Sequence, residues 1–172
     1  MLAILIPGLI IVALMVWAST RIKRIAAAAF EPETIETDDF VIQKPEGFLH
    51  NLNGDSQYTF EAYSKELGAV ATDIRQGRVR LTITDNAKVD QIIGGLSDDG
   101  DEIIDDVTEI VGPTRYRLIE AKREENGHDL SVNYKIAEMN SRVFKLETIR
   151  LSETSDEFAR KIEAFANSFE LK

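Results

Sequence analysis

The chain has 172 residues, no cysteine, and 30 acidic against 20 basic side chains, for a formal net charge of −10. The missing cysteine excludes disulfides, thiol catalysis and thiolate metal sites. All the acidic residues lie beyond position 30 while three of the basic ones precede it, so the remainder carries −13 and repels nucleic acid.

Met1 to Ala18 holds no charged side chain, and Arg21-Ile22-Lys23-Arg24 follows directly. About 20 helical residues at roughly 1.5 Å each cross a bilayer core of roughly 30 Å. Residues 1–20 therefore read as a single transmembrane helix. Pro7-Gly8 is tolerated near the end of such a helix, and Trp17 suits the headgroup region. A cleaved signal peptide is the alternative, with Val16-Trp17-Ala18 or Ala26-Ala27-Ala28 as the cleavage pattern. Signal peptides place positive charge ahead of the apolar run; here it comes after, which favours retention. Arg21, Lys23 and Arg24 form a basic membrane collar. By the positive-inside rule they favour a cytoplasmic domain, with the periplasmic face as the alternative.

Residues 21–39 read as that collar followed by an acidic, Pro-containing linker, Glu31 to Asp39, that spans about 30 Å at most. Residues 40–172 form one soluble domain, long enough to bury a real core. Phe40 to Gln43 is a short strand, stopped by the turn signature Pro45-Glu46-Gly47. Asn51 to Ser56 is a loop. Tyr58, Phe60 and Ala62 alternate with Thr59, Glu61 and Tyr63 as a second strand, with a helix as the rival. Val79, Leu81 and Ile83 alternate with Arg78, Arg80, Thr82 and Thr84 in the clearest half-buried strand.

The period then changes. Val89, Ile92, Ile93 and Leu96 mark a helix, with Asp85 or Asn86 as its cap. Ile103, Ile104, Val107, Ile110 and Val111 suggest a second short helix that Gly112-Pro113 stops. From Thr114 to Leu151 the pattern is a three-strand meander, with Asn126-Gly127 as a strong hairpin signal and Met139-Asn140-Ser141 as the next turn. In its last strand Phe144, Leu146 and Ile149 mark the buried side. A closing helix starts at the capping box Thr154-Ser155-Asp156-Glu157. Its stripe Phe158, Ile162, Phe165, Phe169 must pack on the sheet. The fold class is α+β, an antiparallel sheet packed with helices.

Three stretches resemble the PsbP-like family over about residues 38–172. Phe40-Val41-Ile42-Gln43-Lys44-Pro45-Glu46-Gly47-Phe48 looks like its opening strand and Pro-containing turn. Arg142-Val143-Phe144-Lys145-Leu146 looks like its late core strand. Phe158 through Ala166-Asn167-Ser168-Phe169 looks like its closing helix. Phe48 stands where the family often has Trp. The matched positions are structural, so no functional residue is carried over. The resemblance implies an α/β sandwich and a non-enzymatic domain that docks on a larger complex, often at a membrane.

Chemistry is sparse. His50 and His128 follow turns and lack the i, i+4 partner of a zinc site. There is no nucleophile elbow, phosphate loop or dinucleotide fingerprint, and no cofactor is expected. Asp98, Asp99, Asp101 and Asp105 are weak candidates for a divalent cation, since hard cations want several carboxylates on a flexible loop. The glycine spacing fails the EF-hand pattern. Asp101, Asp105 and Glu109 would repel along one helix face, and a solvated acidic face or a patch for a basic partner is the competing reading. Tyr58, Tyr63, Tyr116 and Tyr134 line either a pocket or simply the core. The expectation is a single-pass, non-enzymatic accessory or assembly subunit that uses the bilayer and a protein partner. A tethered small-molecule or divalent-cation binding domain is the alternative.

Overall fold

The computed structural model describes residues 14–24, 27–51, 57–64 and 75–172. It divides into two units, residues 1–31 and 32–172. In the first, residues 14–24 are helical and exposed. Thr20 Oγ1 donates to the Val16 carbonyl at 2.8 Å, and the Arg21 guanidinium lies 5.3 Å from the Trp17 ring centroid. Residues 1–13 of the expected span lie outside the described residues. No helix among the described residues is long and apolar enough to cross a membrane.

The second unit has two antiparallel sheets and two helices. Strands β1 (Glu33–Glu36), β2 (Phe40–Lys44) and β10 (Glu170–Leu171) make the small sheet in the order β1-β2-β10. The large sheet has β3 (Phe48–Asn51), β4 (Phe60–Ser64), β5 (Gly77–Asp85), β6 (Glu102–Val111), β7 (Thr114–Glu125), β8 (His128–Met139) and β9 (Arg142–Leu151). Its order is β3-β4-β5-β9-β8-β7-β6. Helices α1 (Val89–Leu96) and α2 (Asp156–Asn167) serve opposite faces of it.

Alternation explains the two faces. Along β9, Phe144 and Leu146 join a core with α2 and the small sheet, while Val143 and Ile149 join a second core with α1. Ile149 thus shares a side with Val143 and not with Phe144. Both faces are covered, so a one-sided reading of this strand was too simple. The first core is an aromatic cluster. Phe48 meets Phe165 at 5.5 Å, Phe40 meets Phe169 at 5.9 Å, and Phe60 meets both Phe40 and Phe165 at 6.2 Å. These phenylalanines come from two of the family-like stretches plus β4. Their burial is what sets α2 between β2 and β9.

Four local expectations change. The stretch read as a linker contains β1, whose Ile35 is buried and pairs with Ile42 of β2. Residues 102–111 are not a helix but the strand β6. Their aliphatic spacing fits both periods, and β-branched residues favour the extended form when a neighbour such as β7 offers a ladder. Gly112, at φ +59, then begins a two-residue hairpin turn instead of ending a helix. Helix α1 has Lys88 at its N-cap with no side-chain cap bond; Asp85 ends β5, and Asn86 takes a left-handed φ of +55. The cap of α2 is Ser155, which accepts from the Phe158 N–H at 3.3 Å, one residue later than the Thr154 box. Thr154 Oγ1 is buried with no hydrogen-bond partner among the described residues.

The meander stands as read. Asn126 and Gly127 have φ +54 and +76, the pair of positive values that a type I′ turn needs. The second hairpin uses Asn140 and Ser141 at φ +53 and +60.

Candidate docking surface

Helix α2 packs on β9 and β2. Between α2 and β7–β8 runs a groove of about 320 Å³, lined by Leu118, Asn133, Lys135, Thr148, Ile162 and Ala166 among others. Lys135 and Arg150 are the cationic side chains in its lining. The Lys135 ammonium donates to the Phe169 carbonyl at 3.0 Å and lies 4.6 Å from the Tyr116 ring centroid. Burial pushes the Lys135 pKa down, while Glu109 and Glu170 oppose that shift. Burial also raises the Tyr116 hydroxyl.

The opposite face of the same strands holds a buried ionic knot. Arg123 donates to both carboxylate oxygens of Asp101, at 2.8 and 2.9 Å. It also donates to the Tyr134 hydroxyl at 2.8 Å and to Glu147 Oε1 at 3.0 Å. The Tyr134 hydroxyl in turn donates to Asp101. The Asp101 carboxylate is wholly buried. Hydrogen bonding to Asp101 holds Arg123 above its ordinary pKa against the cost of burial. Burial, then Glu147, raises Tyr134. Asp101 closes the loop after α1, where its N–H bonds the Leu96 carbonyl at 3.2 Å. The knot therefore ties that loop to β7, β8 and β9.

Beyond the knot lies β6, exposed along all ten residues. Ile104, Val107, Ile110 and Val111 are 47–67% exposed. Glu102, Asp105, Asp106 and Glu109 alternate with them. Asp106 pairs with Arg117 of β7; Glu102, Asp105 and Glu109 make no ion pair among the described residues.

The structure disperses the carboxylates singled out from sequence. Asp98 and Asp99 are exposed on the turn after α1, Asp101 is buried against Arg123, and Asp105 is exposed on β6, accepting from the Asp106 N–H at 2.9 Å. Asp101, Asp105 and Glu109 do not share a helix face, because they precede or lie on a strand. No group of three metal-ligating side chains occurs among the described residues. His50 is in β3, half-buried, with Nδ1 3.6 Å from Glu33; His128 is exposed at the start of β8. The tyrosines do not share one pocket. Tyr116 belongs to the α2 core and Tyr134 to the α1 core, while Tyr58 and Tyr63 are half-buried under Arg80 and Arg75. Arg21, Lys23 and Arg24 are all exposed in the first unit.

Sequence reasoning missed Arg123 and Glu147, and it named Tyr134 only as a pocket or core residue. The signal was present: Arg123 follows Ile119 and Ala121 at strand period, and Glu147 lies between Val143 and Ile149. A charge on a buried face demands a partner.

No family model and no curated protein matches the chain. Solved structures do. One is cyanobacterial PsbP (CyanoP) from Synechocystis, 11% identical with a TM-score of 0.54, over 83% of this chain and 92% of that one. Another is LpqN, involved in cell envelope biogenesis of Mycobacterium tuberculosis, 13% identical with a TM-score of 0.57, over 83% and 91%. The chain has the PsbP-like fold. At this identity the likeness concerns the fold alone. The three family-like stretches fall in the PsbP-like frame as β2 with its turn into β3, the first half of β9, and α2 with Phe169. Phe48, which follows the Pro-containing turn, stacks on Phe158 at 5.8 Å.

Proposed function

We propose that the chain is a single-pass, membrane-tethered accessory or assembly subunit, without catalytic chemistry of its own, whose acidic PsbP-like domain docks on a protein complex at the membrane. The observation that carries this reading is β6, where aliphatic and acidic side chains face outward along a whole strand that the domain's own cores do not use. The apolar run Met1 to Ala18 supplies the tether. Arg21, Lys23 and Arg24 meet anionic headgroups at about 1 kcal/mol each. A tether raises the local concentration of the domain, so weak docking becomes effective. The likeness to LpqN, a protein involved in cell envelope biogenesis, agrees with a membrane setting.

The test is extraction with mild detergent followed by native gels. Co-migration with a larger complex, and resistance of the chain to alkaline carbonate washing of membranes, are the expected results. A monomer at every load, or release by carbonate, would overturn the reading. The charge order favours a cytoplasmic domain, and a carboxyl-terminal phosphatase reporter active only in the periplasm decides the face.

The groove beside Lys135 favours a second reading, a tethered small-molecule binding domain. A large thermal shift with one ligand class, lost in Lys135→Met, would support it. The divalent-cation form of that reading has less support, because Asp101 is already occupied by Arg123.

A further inference from the structure

The edge of the large sheet carries the reading one step further. Among the described residues, strand β6 pairs only with β7. In an antiparallel ladder every second residue of an edge strand turns its N–H and C=O outward, where another strand can pair with them. Edges of this kind are normally short, bulged, or guarded by charge, lysine above all, or by proline. Strand β6 is ten residues long and has a bulge only near its start, between Ile103 and Asp105. It carries no lysine, arginine or proline. Val107 to Val111 is regular, and it presents Val107, Ile110 and Val111 at 47%, 67% and 51% exposure.

Charge decides what pairs there. The register places Val107 beside Leu118 and Glu109 beside Tyr116, so Glu102, Asp105, Val107, Glu109 and Val111 share the face that continues into the Lys135 groove. Three carboxylates on that face have no ion-pair partner among the described residues. A second copy of the chain would bring four carboxylates from each β6 onto one ladder, and like charges directly opposite are destabilising. An extended segment with Lys or Arg at alternate positions would neutralise them while its backbone completes the ladder.

We propose that β6 is a strand-addition site that takes an extended basic segment of a partner protein, paired to the edge by main-chain hydrogen bonds and read by Glu102, Asp105 and Glu109 on one face. The proposal rests on the docking reading above and names its contact. Main-chain pairing of this kind supplies affinity, and alternate side chains supply specificity. The segment lies over Val107 and Val111 and covers apolar surface that is now in water.

The experiment uses the full chain in nonionic detergent and an eight-residue peptide alternating Lys with Val or Thr. Amide hydrogen exchange is followed along β6. Bound peptide should slow the outward amides of residues 105–111 by about tenfold or more. The triple variant Glu102→Lys, Asp105→Lys, Glu109→Lys should weaken the peptide by about tenfold and gain affinity for an alternating Glu peptide. These side chains are exposed, and the circular dichroism spectrum checks that the variant is folded. Unchanged β6 exchange at saturating peptide would overturn the proposal. So would equal binding of a peptide N-methylated at alternate residues, since side chains alone would then account for it. Protection of β6 that grows with protein concentration without peptide would assign the edge to a second copy instead. The two readings fail separately. Co-migration with a complex but no peptide protection leaves docking and removes strand addition. Peptide protection in a chain that always runs as a monomer does the reverse.

Discussion

Arg123 grips Asp101 through two parallel hydrogen bonds of 2.8 and 2.9 Å, at the point where the loop from α1 turns into the outer hairpin. Asp101 has no exposed side-chain surface, so its charge depends on that guanidinium. Removing one partner of a buried ion pair leaves the other uncompensated and costs about 3–5 kcal/mol. Arg123→Ala is therefore expected to lower stability by about that amount. Arg123→Lys should recover only part of it, because an ammonium cannot repeat the two-pronged geometry. Urea unfolding of both variants checks this. Wild-type midpoints in either would show that the knot is not closed in solution.

Gly77 begins β5 beneath α2. A β-carbon there would stand 2.8 Å from Ile162 Cδ1 and 2.9 Å from Phe158 Cε1. Gly77→Val should cost about 1–3 kcal/mol by overpacking. Combining it with Ile162→Val should cost less than the two single changes together, since the crowded methyl is removed. A double-mutant cycle by thermal unfolding measures the coupling. Strict additivity would mean that α2 seats elsewhere.

The Asp39 carboxylate accepts from both terminal nitrogens of Arg142, one of them at 3.0 Å. Hydrogen bonding to Arg142 holds its pKa below the ordinary aspartate value. A carboxyl depressed in the folded state contributes stability that is complete above the unfolded pKa and is lost as pH falls through the folded one. The pair is partly solvated, so the contribution at neutral pH is at most about 1 kcal/mol. Asp39→Asn should therefore be less stable than the parent at pH 7 and equal to it below about pH 2. Glu36, lowered by Lys172, has the same sign. Denaturant titrations across pH 2–7 test the convergence. A constant gap between parent and variant would assign the loss to packing.

Ser141 sits at φ +60 in the turn between β8 and β9. A left-handed conformation costs a residue with a β-carbon about 1 kcal/mol that glycine avoids. Ser141→Gly converts the turn to Asn-Gly, as in the preceding hairpin, and should raise stability by up to about 1 kcal/mol. Thermal unfolding reads the change. A destabilised variant would show that the serine hydroxyl matters more than the backbone.

The sheet-forming half of the domain was legible because its signals are local. Val79, Leu81 and Ile83 alternate, Asn126-Gly127 admits one kind of turn, and Phe158, Ile162 and Phe165 recur at helical spacing whatever lies around them. Ile103, Ile104, Val107, Ile110 and Val111 were misread because that spacing satisfies both periods over one short stretch. Only the neighbouring strand β7 breaks the tie. Glu33–Glu36 looked like a solvated linker because a single Ile35 is a weak local signal. It becomes a strand because β2 offers an open edge.

The candidate surface divides in the same way. Sequence alone determined the order of the chain: an uncharged run, a basic collar, then an acidic α+β domain with PsbP-like strand and helix stretches. Those properties follow from composition and short-range spacing, which need no knowledge of the fold. Tertiary structure alone decided that Asp101 belongs to Arg123 and not to a cluster with Asp98, Asp99 and Asp105, and that β6 lies at the edge with its aliphatics in water. Both depend on strand order. Pairing between residues 22 positions apart, and the choice of which strand is last, are settled by how the sheet closes around its two cores and not by any one segment.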